Sequence, residues 1–265
     1  MTLFEAIILG IVQGLTEFLP VSSSGHIELG TYLFGIQAAD NLLFSVVVHA
    51  ATALSTIVVF RKDIMLVFQD LLKFKWNGGT EFTFKVIVSM IPIGIVGLLY
   101  EEEISSFFGG RILFVGFMLL LTATLLAFSH YAFKRDGIVT FPKAFIIGLA
   151  QTIAILPGIS RAGATISTAL LLGIDRERAA RFSFLMVLVP IIGGSLLKLL
   201  NFIEDPSIAE GISGASLVAG FVAAFLAGLL ACVWMINIVK KGKLIYFAIY
   251  CATVGSMAII AGLYL

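Results

Sequence analysis

Gln13-Gly-Leu-Thr-Glu17-Phe-Leu-Pro20-Val-Ser22-Ser23-Ser24-Gly25-His26 sets a carboxylate, an amide, three serine hydroxyls and an imidazole into surroundings otherwise as apolar as lipid. A weaker echo follows at Gly148-Leu-Ala-Gln151-Thr-Ile-Ala-Ile-Leu-Pro157-Gly158-Ile-Ser160-Arg161-Ala-Gly163-Ala-Thr165, with the same Gly, Gln, Leu-Pro, Ser and Gly landmarks, a one-residue slip and an added arginine. Proline removes a helical donor and clashes with the preceding turn, so each apolar stretch breaks at its Leu-Pro. What remains beyond each break is an arm of about ten residues, too short to cross a bilayer that needs roughly 20. Irregular backbone at membrane depth is tolerated where it is buried in protein or lines a wet cavity. Residues 2–34 and 141–173 are therefore expected to be re-entrant hairpins with tips near the midplane.

The rest of the chain suits that reading. Hydrophobic residues make up 60% of the 265 positions and charged residues 12%, and the mean hydropathy is +1.09. Soluble domains carry about 25% charge, so the chain is expected to be an integral membrane protein. Six further runs, near 41–60, 82–101, 111–130, 179–202, 213–239 and 244–264, are long and apolar enough to span. The segment Asp63 to Trp76 sets Ile64, Phe68, Leu71 and Leu72 against Asp70, Lys73 and Lys75, which suggests a helix lying in the interface. The N-terminus lacks the basic region of a secretory signal and is read as part of the fold. Cys232 and Cys251 lie in apolar runs and are expected to be free.

One hairpin and three spans in each half make an odd number of crossings, which inverts the second copy. The expected architecture is thus an all-α integral membrane protein of six transmembrane helices plus two re-entrant helical hairpins. It forms one domain, 1–265, with inverted repeats at 1–135 and 136–265. Phe44-Ser45 and Phe182-Ser183 fall at the offset of the two motifs, and Gly97-Leu-Leu resembles Gly228-Leu-Leu in the third element of each half. Arg61, Lys62, Lys73, Lys75, Lys134, Arg135, Lys143, Arg176, Arg178, Arg181, Lys240, Lys241 and Lys243 gather on one side of this topology. Glu101, Glu102, Glu103, Glu204, Asp205 and Glu210 gather on the other, with Arg111. Basic loops stay in the cytoplasm, so both termini are placed outside and the hairpins enter from opposite faces toward one site.

A carboxylate as deep as Glu17 is costly unless paired, and Gln13 lies one turn away on the same face. The simpler alternative is a structural Glu17 bonded to the hairpin turn. Ser22, Ser23 and Ser24 occupy the break ahead of a short arm that His26 begins; serine there commonly caps a helix. The same helix N-terminus is an anion site, and a serine in it becomes a nucleophile if His26 or Glu17 takes its proton. Arg161 stays charged and presents a planar fork suited to phosphate or carboxylate; its bland role is an ion pair with Glu17. Ser160 precedes Arg161, and Thr165 adds a hydroxyl that in a membrane helix often bonds its own backbone. His49 and His130 read as structural, and Glu28 is ambiguous. No Walker, Rossmann, Cys-x-x-Cys or His-Glu-x-x-His pattern is present, and no nucleic acid partner is expected.

The two motifs together, Gln13-x-x-x-Glu17 with Pro20 to His26 and Pro157-Gly-Ile-Ser-Arg161-Ala-Gly-Ala-Thr165, resemble the signature motifs of the bacitracin-resistance type undecaprenyl-diphosphate phosphatases. The resemblance runs over essentially the whole chain. It implies removal of the terminal phosphate from a C55 polyprenyl diphosphate, giving the monophosphate that carries cell-wall precursors, at the outer face of the bacterial cytoplasmic membrane, with a divalent cation such as Mg²⁺ or Ca²⁺. Ser23, His26, Glu17 and Arg161 then match the family's catalytic positions. Ser22, Ser24, Ser160, Arg161 and Thr165 fall where the phosphates would bind, and Glu17 with Gln13 falls where the cation would. Two departures stand out. Ala162 and Ala164 replace positions that often carry hydroxyls in the family, and a neutral Gln13 leaves one carboxylate for a cation. Attack by Ser23 and attack by a water at Glu17 both fit, homodimerisation is open, and the competing class is a transporter of polyprenyl phosphate or another anion.

Overall fold

The computed structural model describes residues 1–35, 38–108, 111–132, 136–194, 196 and 213–264. Its helices are α1 (Leu3–Phe18), α2 (Ser23–Phe34), α3 (Ala38–Val59), α4 (Arg61–Leu71), α5 (Gly78–Leu99), α6 (Glu101–Ser105), α7 (Ile112–His130), α8 (Phe141–Ile153), α9 (Arg161–Leu171), α10 (Arg176–Met186), α11 (Gly214–Lys241) and α12 (Ile245–Tyr264). Among the described residues the sole β pairing is an isolated bridge between Gly137 and Ile174. Lys134, Arg135, Glu204, Asp205, Glu210 and the end of the 179–202 run lie outside the described residues.

Among the described residues four helices, α5, α7, α11 and α12, are long and apolar enough to cross a membrane, and α3 makes a fifth when taken with α4. The chain bends by 75° between those two. Beyond the bend, α4 carries no buried residue, and Met65, Leu66 and Phe68 are exposed beside its charged positions. That is the makeup of an amphipathic helix at an interface. Pro92 sits inside α5 without breaking it, as membrane helices allow when neighbours take up the freed backbone groups.

Both apolar stretches break at their Leu-Pro into two packed helices, α1 with α2 and α8 with α9. A Thr2–Glu5 capping box starts α1, and α1 stops at Phe18, before Pro20. Ser22 adopts a φ of 71°, a left-handed conformation that is uncommon for a non-glycine residue, and then caps α2 by accepting the Gly25 N–H at 3.2 Å. In the second hairpin Gly158 takes a φ of +98°, and a Cβ there would lie 2.6 Å from the Val115 carbonyl oxygen on α7. Only glycine meets both conditions. The tips touch each other, since a Cβ on Gly25 would lie 3.0 Å from the Gly158 Cα.

Close backbone approach holds the hairpins in the bundle. A Cβ on Gly10 or Gly14 of α1 would lie 2.5 Å from the carbonyl oxygen of Gly220 or Ala224 on α11. Gly148 of α8 backs onto the Ser89 carbonyl of α5, and Gly116 of α7 onto Gly255 of α12. Lipid offers no hydrophobic drive for helix pairing, so dispersion between backbones brought close by small residues supplies the contact. Val115, Leu119, Leu126, Ile147, Ile166 and Met235 form the buried centre, while Val222, Leu226, Leu230 and Val233 leave an apolar face of α11 exposed.

Candidate active site

Glu17 ends α1 beside the break, and its side chain is 5% exposed. Its Oε2 accepts the Ser23 hydroxyl at 2.6 Å and the Gln13 amide Nε2 at 2.9 Å. Its Oε1 accepts Nη2 of Arg161, from the other hairpin, at 3.1 Å. His49 of α3 brings Nε2 to 3.8 Å from Oε2. A short bond from a hydroxyl to a carboxylate is charge-assisted, and the buried carboxylate keeps its charge because an arginine faces it. The carboxylate thus ties together residues from three separate segments.

Ser23 is buried, with its oxygen held by the group best placed to take its proton. His26 is turned elsewhere. Its Nδ1 lies 2.8 Å from the Ser22 carbonyl oxygen, which only accepts, so Nδ1 carries the proton. The neutral ring's Nε2 then accepts the Tyr250 hydroxyl of α12 at 2.8 Å, and the two rings stack with centroids 5.6 Å apart. His26 therefore makes no hydrogen bond to Ser23 or Glu17, and of the two bases considered for Ser23 only Glu17 is bonded to it. Ser24 approaches the Ser22 hydroxyl at a long 3.4 Å.

On the second hairpin Ser160 caps α9 through the Gly163 N–H at 3.0 Å, and its own N–H donates to Thr122 Oγ1 of α7 at 3.0 Å. Thr122 in turn donates to the Gly158 carbonyl at 3.1 Å, so α7 braces the tip from both sides. Thr165 donates to the Arg161 carbonyl at 2.9 Å, the self-bonding that threonine favours in a membrane helix. Beside Glu17 and Arg161 opens a pocket bounded by Phe18, Thr56, Thr165, Ser183 and Phe184.

Sequence reasoning assigned His49 a structural place, yet packing of α3 brings it to Glu17, with Nδ1 fixed by the Ser45 carbonyl at 2.7 Å. Tyr250, Thr122, Thr56 and Ser183 were not singled out as site residues. A polar side chain recurring in an apolar span is the one signal they carry, and other serines and threonines of the spans share it.

For a cation, the Gln13 Oε1 is the telling atom: it is buried and has no hydrogen-bond partner, while the same amide's nitrogen is spent on Glu17. Among the described residues no three His, Cys, Asp or Glu side chains gather as a ligand set. One carboxylate and one amide oxygen suit a hard cation that brings water and phosphate oxygens as its remaining ligands, the usual habit of Mg²⁺ at phosphate sites.

These features define a polytopic helical membrane protein with an enclosed site in which a hydroxyl, a carboxylate and an arginine converge. The chain belongs to the family described as Bacitracin resistance protein BacA, whose profile matches residues 6–257. It is 58% identical to an undecaprenyl-diphosphatase of Christiangramia forsetii over 98% of both chains. It is 55% identical to one of Bacteroides fragilis over 97% of both, and 37% identical to one of Oceanobacillus iheyensis over 98% of this chain and 96% of that one.

Proposed function

We propose that this chain is an undecaprenyl-diphosphatase, a membrane hydrolase that cleaves the phosphoric anhydride bond of a polyprenyl diphosphate. The observation that carries it is the contact of Ser23, Glu17 and Arg161 across two hairpin tips, at 2.6 and 3.1 Å. Phosphoryl transfer asks little of the protein beyond positioning and balancing charge. Arg161 spends one of its five donors on Glu17, and the first residues of α2 and α9, Ser23 and Arg161, both bond to that carboxylate, so each helix N-terminus lies at the site.

In this mechanism Ser23 Oγ attacks the terminal phosphorus as Glu17 Oε2 takes its proton. The new Ser23 O–P bond forms while the bond to the bridging oxygen breaks, and the polyprenyl monophosphate departs with the bridging oxygen. Water then attacks the phosphoserine, giving inorganic phosphate and free Ser23, with Glu17 returning the proton. A divalent cation held by Glu17 and Gln13 Oε1 would offset charge on the diphosphate. Arg161 orients the terminal phosphoryl and stabilises the charge that its oxygens carry in the transition state.

The architecture that supports this reading is six spans with two re-entrant hairpins, repeated in inverted order at 1–135 and 136–265. Its support is reciprocal packing: the first hairpin's α1 lies along α11, and the second hairpin's α8 lies along α5, the matching helix of the other half. The pairs Arg181–Asp63 and Lys240–Glu177 join the ends of α10, α4 and α11 on one basic side. By the positive-inside rule that side is cytoplasmic, which sets the first hairpin open to the outer face of the cytoplasmic membrane.

The test is phosphate release from a polyprenyl diphosphate by purified protein in detergent, wild type beside Ser23→Ala and Arg161→Ala, with and without EDTA. Release that needs both side chains and a cation supports the mechanism. Retained release by Ser23→Ala, without a phosphoenzyme in rapid quench of wild type, replaces serine attack by water attack at Glu17. No release from folded wild type refutes the hydrolase and leaves anion transport as the reading of this architecture.

A further inference from the structure

The pocket beside Glu17 and Arg161 contains three hydroxyl side chains, and they differ in one respect. Thr56 Oγ1 donates to the Thr52 carbonyl at 3.1 Å, and Thr165 Oγ1 to the Arg161 carbonyl at 2.9 Å. Ser183, on α10, is 3% exposed, and its Oγ has no hydrogen-bond partner. Serines elsewhere in the bundle follow the first pattern: Ser55 and Ser89 each donate to a carbonyl of their own helix. Ser183 has the same option one turn back and does not take it. A buried hydroxyl left unbonded is destabilising, so native proteins seldom keep one without a use.

We propose that Ser183 binds phosphate: its hydroxyl donates to a non-bridging oxygen of the phosphate group that Arg161 faces. Arg161 supplies the charge and has donors to spare, while Ser183 lies on a different helix lining the same pocket. A tetrahedral phosphate offers several acceptor oxygens, and donors from separate elements fix its orientation as well as its presence. Among the described residues Glu17 is the one acidic side chain lining the pocket, and Arg161 and the Ser23 hydroxyl already engage it. The aromatic wall of Phe18 and Phe184 limits water and so strengthens each polar contact. This proposal rests on the reading of Glu17, Ser23 and Arg161 as the reaction centre.

Two measurements test it, one independent of turnover. Inorganic phosphate is titrated against the full-length protein in detergent by thermal shift, and KM and kcat are measured for a polyprenyl diphosphate, with Ser183→Ala and Ser183→Thr beside wild type. Expected for Ser183→Ala is about a tenfold weakening of phosphate binding, or ~1.4 kcal/mol, as one hydrogen bond to a charged group is lost. KM should rise by a similar factor with kcat changed less, Tm without phosphate should not fall, and Ser183→Thr should restore binding. Weakened binding of free phosphate with an unchanged KM assigns the hydroxyl to the released product, and a raised KM alone assigns it to the lipid-borne phosphate; either supports the contact. Unchanged phosphate binding together with unchanged KM overturns it, as does a loss that tracks a lowered Tm. If wild type binds phosphate through Ser183 but releases none from the lipid, the hydrolase reading fails and the phosphate contact stands. If wild type neither binds nor releases phosphate, both fall.

Discussion

Removing Arg161 should expose how much of this fold depends on a charge pair. Glu17 is 5% exposed and Arg161 25%, with Nη2 and Oε1 3.1 Å apart. At that distance and an effective dielectric of about 20 the gross attraction is ~5 kcal/mol. Water at the partly exposed guanidinium screens some of it, and both ions lost hydration on folding, so the net worth of the pair is much smaller. Breaking it from one side is another matter, because Arg161→Ala leaves the Glu17 carboxylate buried with two neutral donors, Ser23 and Gln13, and with the His49 ring at 3.8 Å in place of the guanidinium. One-sided loss of a buried pair costs about 3–5 kcal/mol, and the partial exposure of Arg161 points to the lower end, ~3 kcal/mol. Glu17→Gln in the same background removes the stranded charge and still accepts from the Ser23 hydroxyl. The double variant should therefore recover about 2 kcal/mol relative to Arg161→Ala, a coupling well beyond the ~0.5 kcal/mol within which independent sites add. Reversible unfolding in mixed micelles reads all four corners of the cycle. Additive losses would show that Arg161 does not neutralise Glu17, and the charge argument for the site would fail with them. Phosphate release should be lost in both single variants and stay lost in the double.

Gly14→Ala should lower stability by ~1–2 kcal/mol, because the new Cβ meets backbone atoms of α11 and overpacking outweighs the gain in helix propensity. Gly94→Ala, where a Cβ meets nothing within 4 Å, should be neutral or stabilising; thermal unfolding of the pair decides. Tyr250→Phe keeps the stacked ring but deletes the bond to His26, about 1 kcal/mol. Its effect on stability and release rate should vanish in a His26→Ala background, and additive effects would separate the two residues. Asp70 lies outside the spans, and its carboxyl is held below the usual range by the Lys73 hydrogen bond and then the Gly79 N–H. A lowered folded pKa means stability present above the ordinary carboxylate pKa and lost as pH falls through the folded one. Exchange of the Gly79 amide should therefore quicken on acidification below the ordinary carboxylate range, and do so less in Asp70→Asn, whose exchange is already fast at neutral pH.

The membrane class, the two helix breaks and the shared face of Gln13 and Glu17 were legible because each depends on local chain chemistry. Leu-Pro followed by a Ser/Gly cluster breaks a helix wherever it occurs, and the ends of α1 and α8 and the starts of α2 and α9 fall around those breaks. Gln13 and Glu17 share a helix face by periodicity alone, and their bond at 2.9 Å follows from it. An intramembrane arginine needs an anion, and Glu17 was the natural one. The capping roles of Ser22 and Ser160 and the self-bond of Thr165 were likewise set by position in a short helix.

His26 shows where local reasoning stopped. Adjacent to the serines in sequence, it lay within reach of Ser23 on paper, yet its ring stacks on Tyr250, a residue more than 200 positions away. His49, Thr122 and Ser183 reached the site for the same reason, each carried there by a separate helix. A sequence records how often polar groups interrupt an apolar run and at what spacing, and this determined the spans, the breaks and the residues able to carry charge. Which helix faces meet depends on backbones coming into contact at Gly10, Gly14, Gly116 and Gly148. That contact sums many weak dispersion terms over distant segments, so only the tertiary structure decided that Ser23 bonds to Glu17 rather than to His26 and that Ser183 lines the pocket beside Arg161.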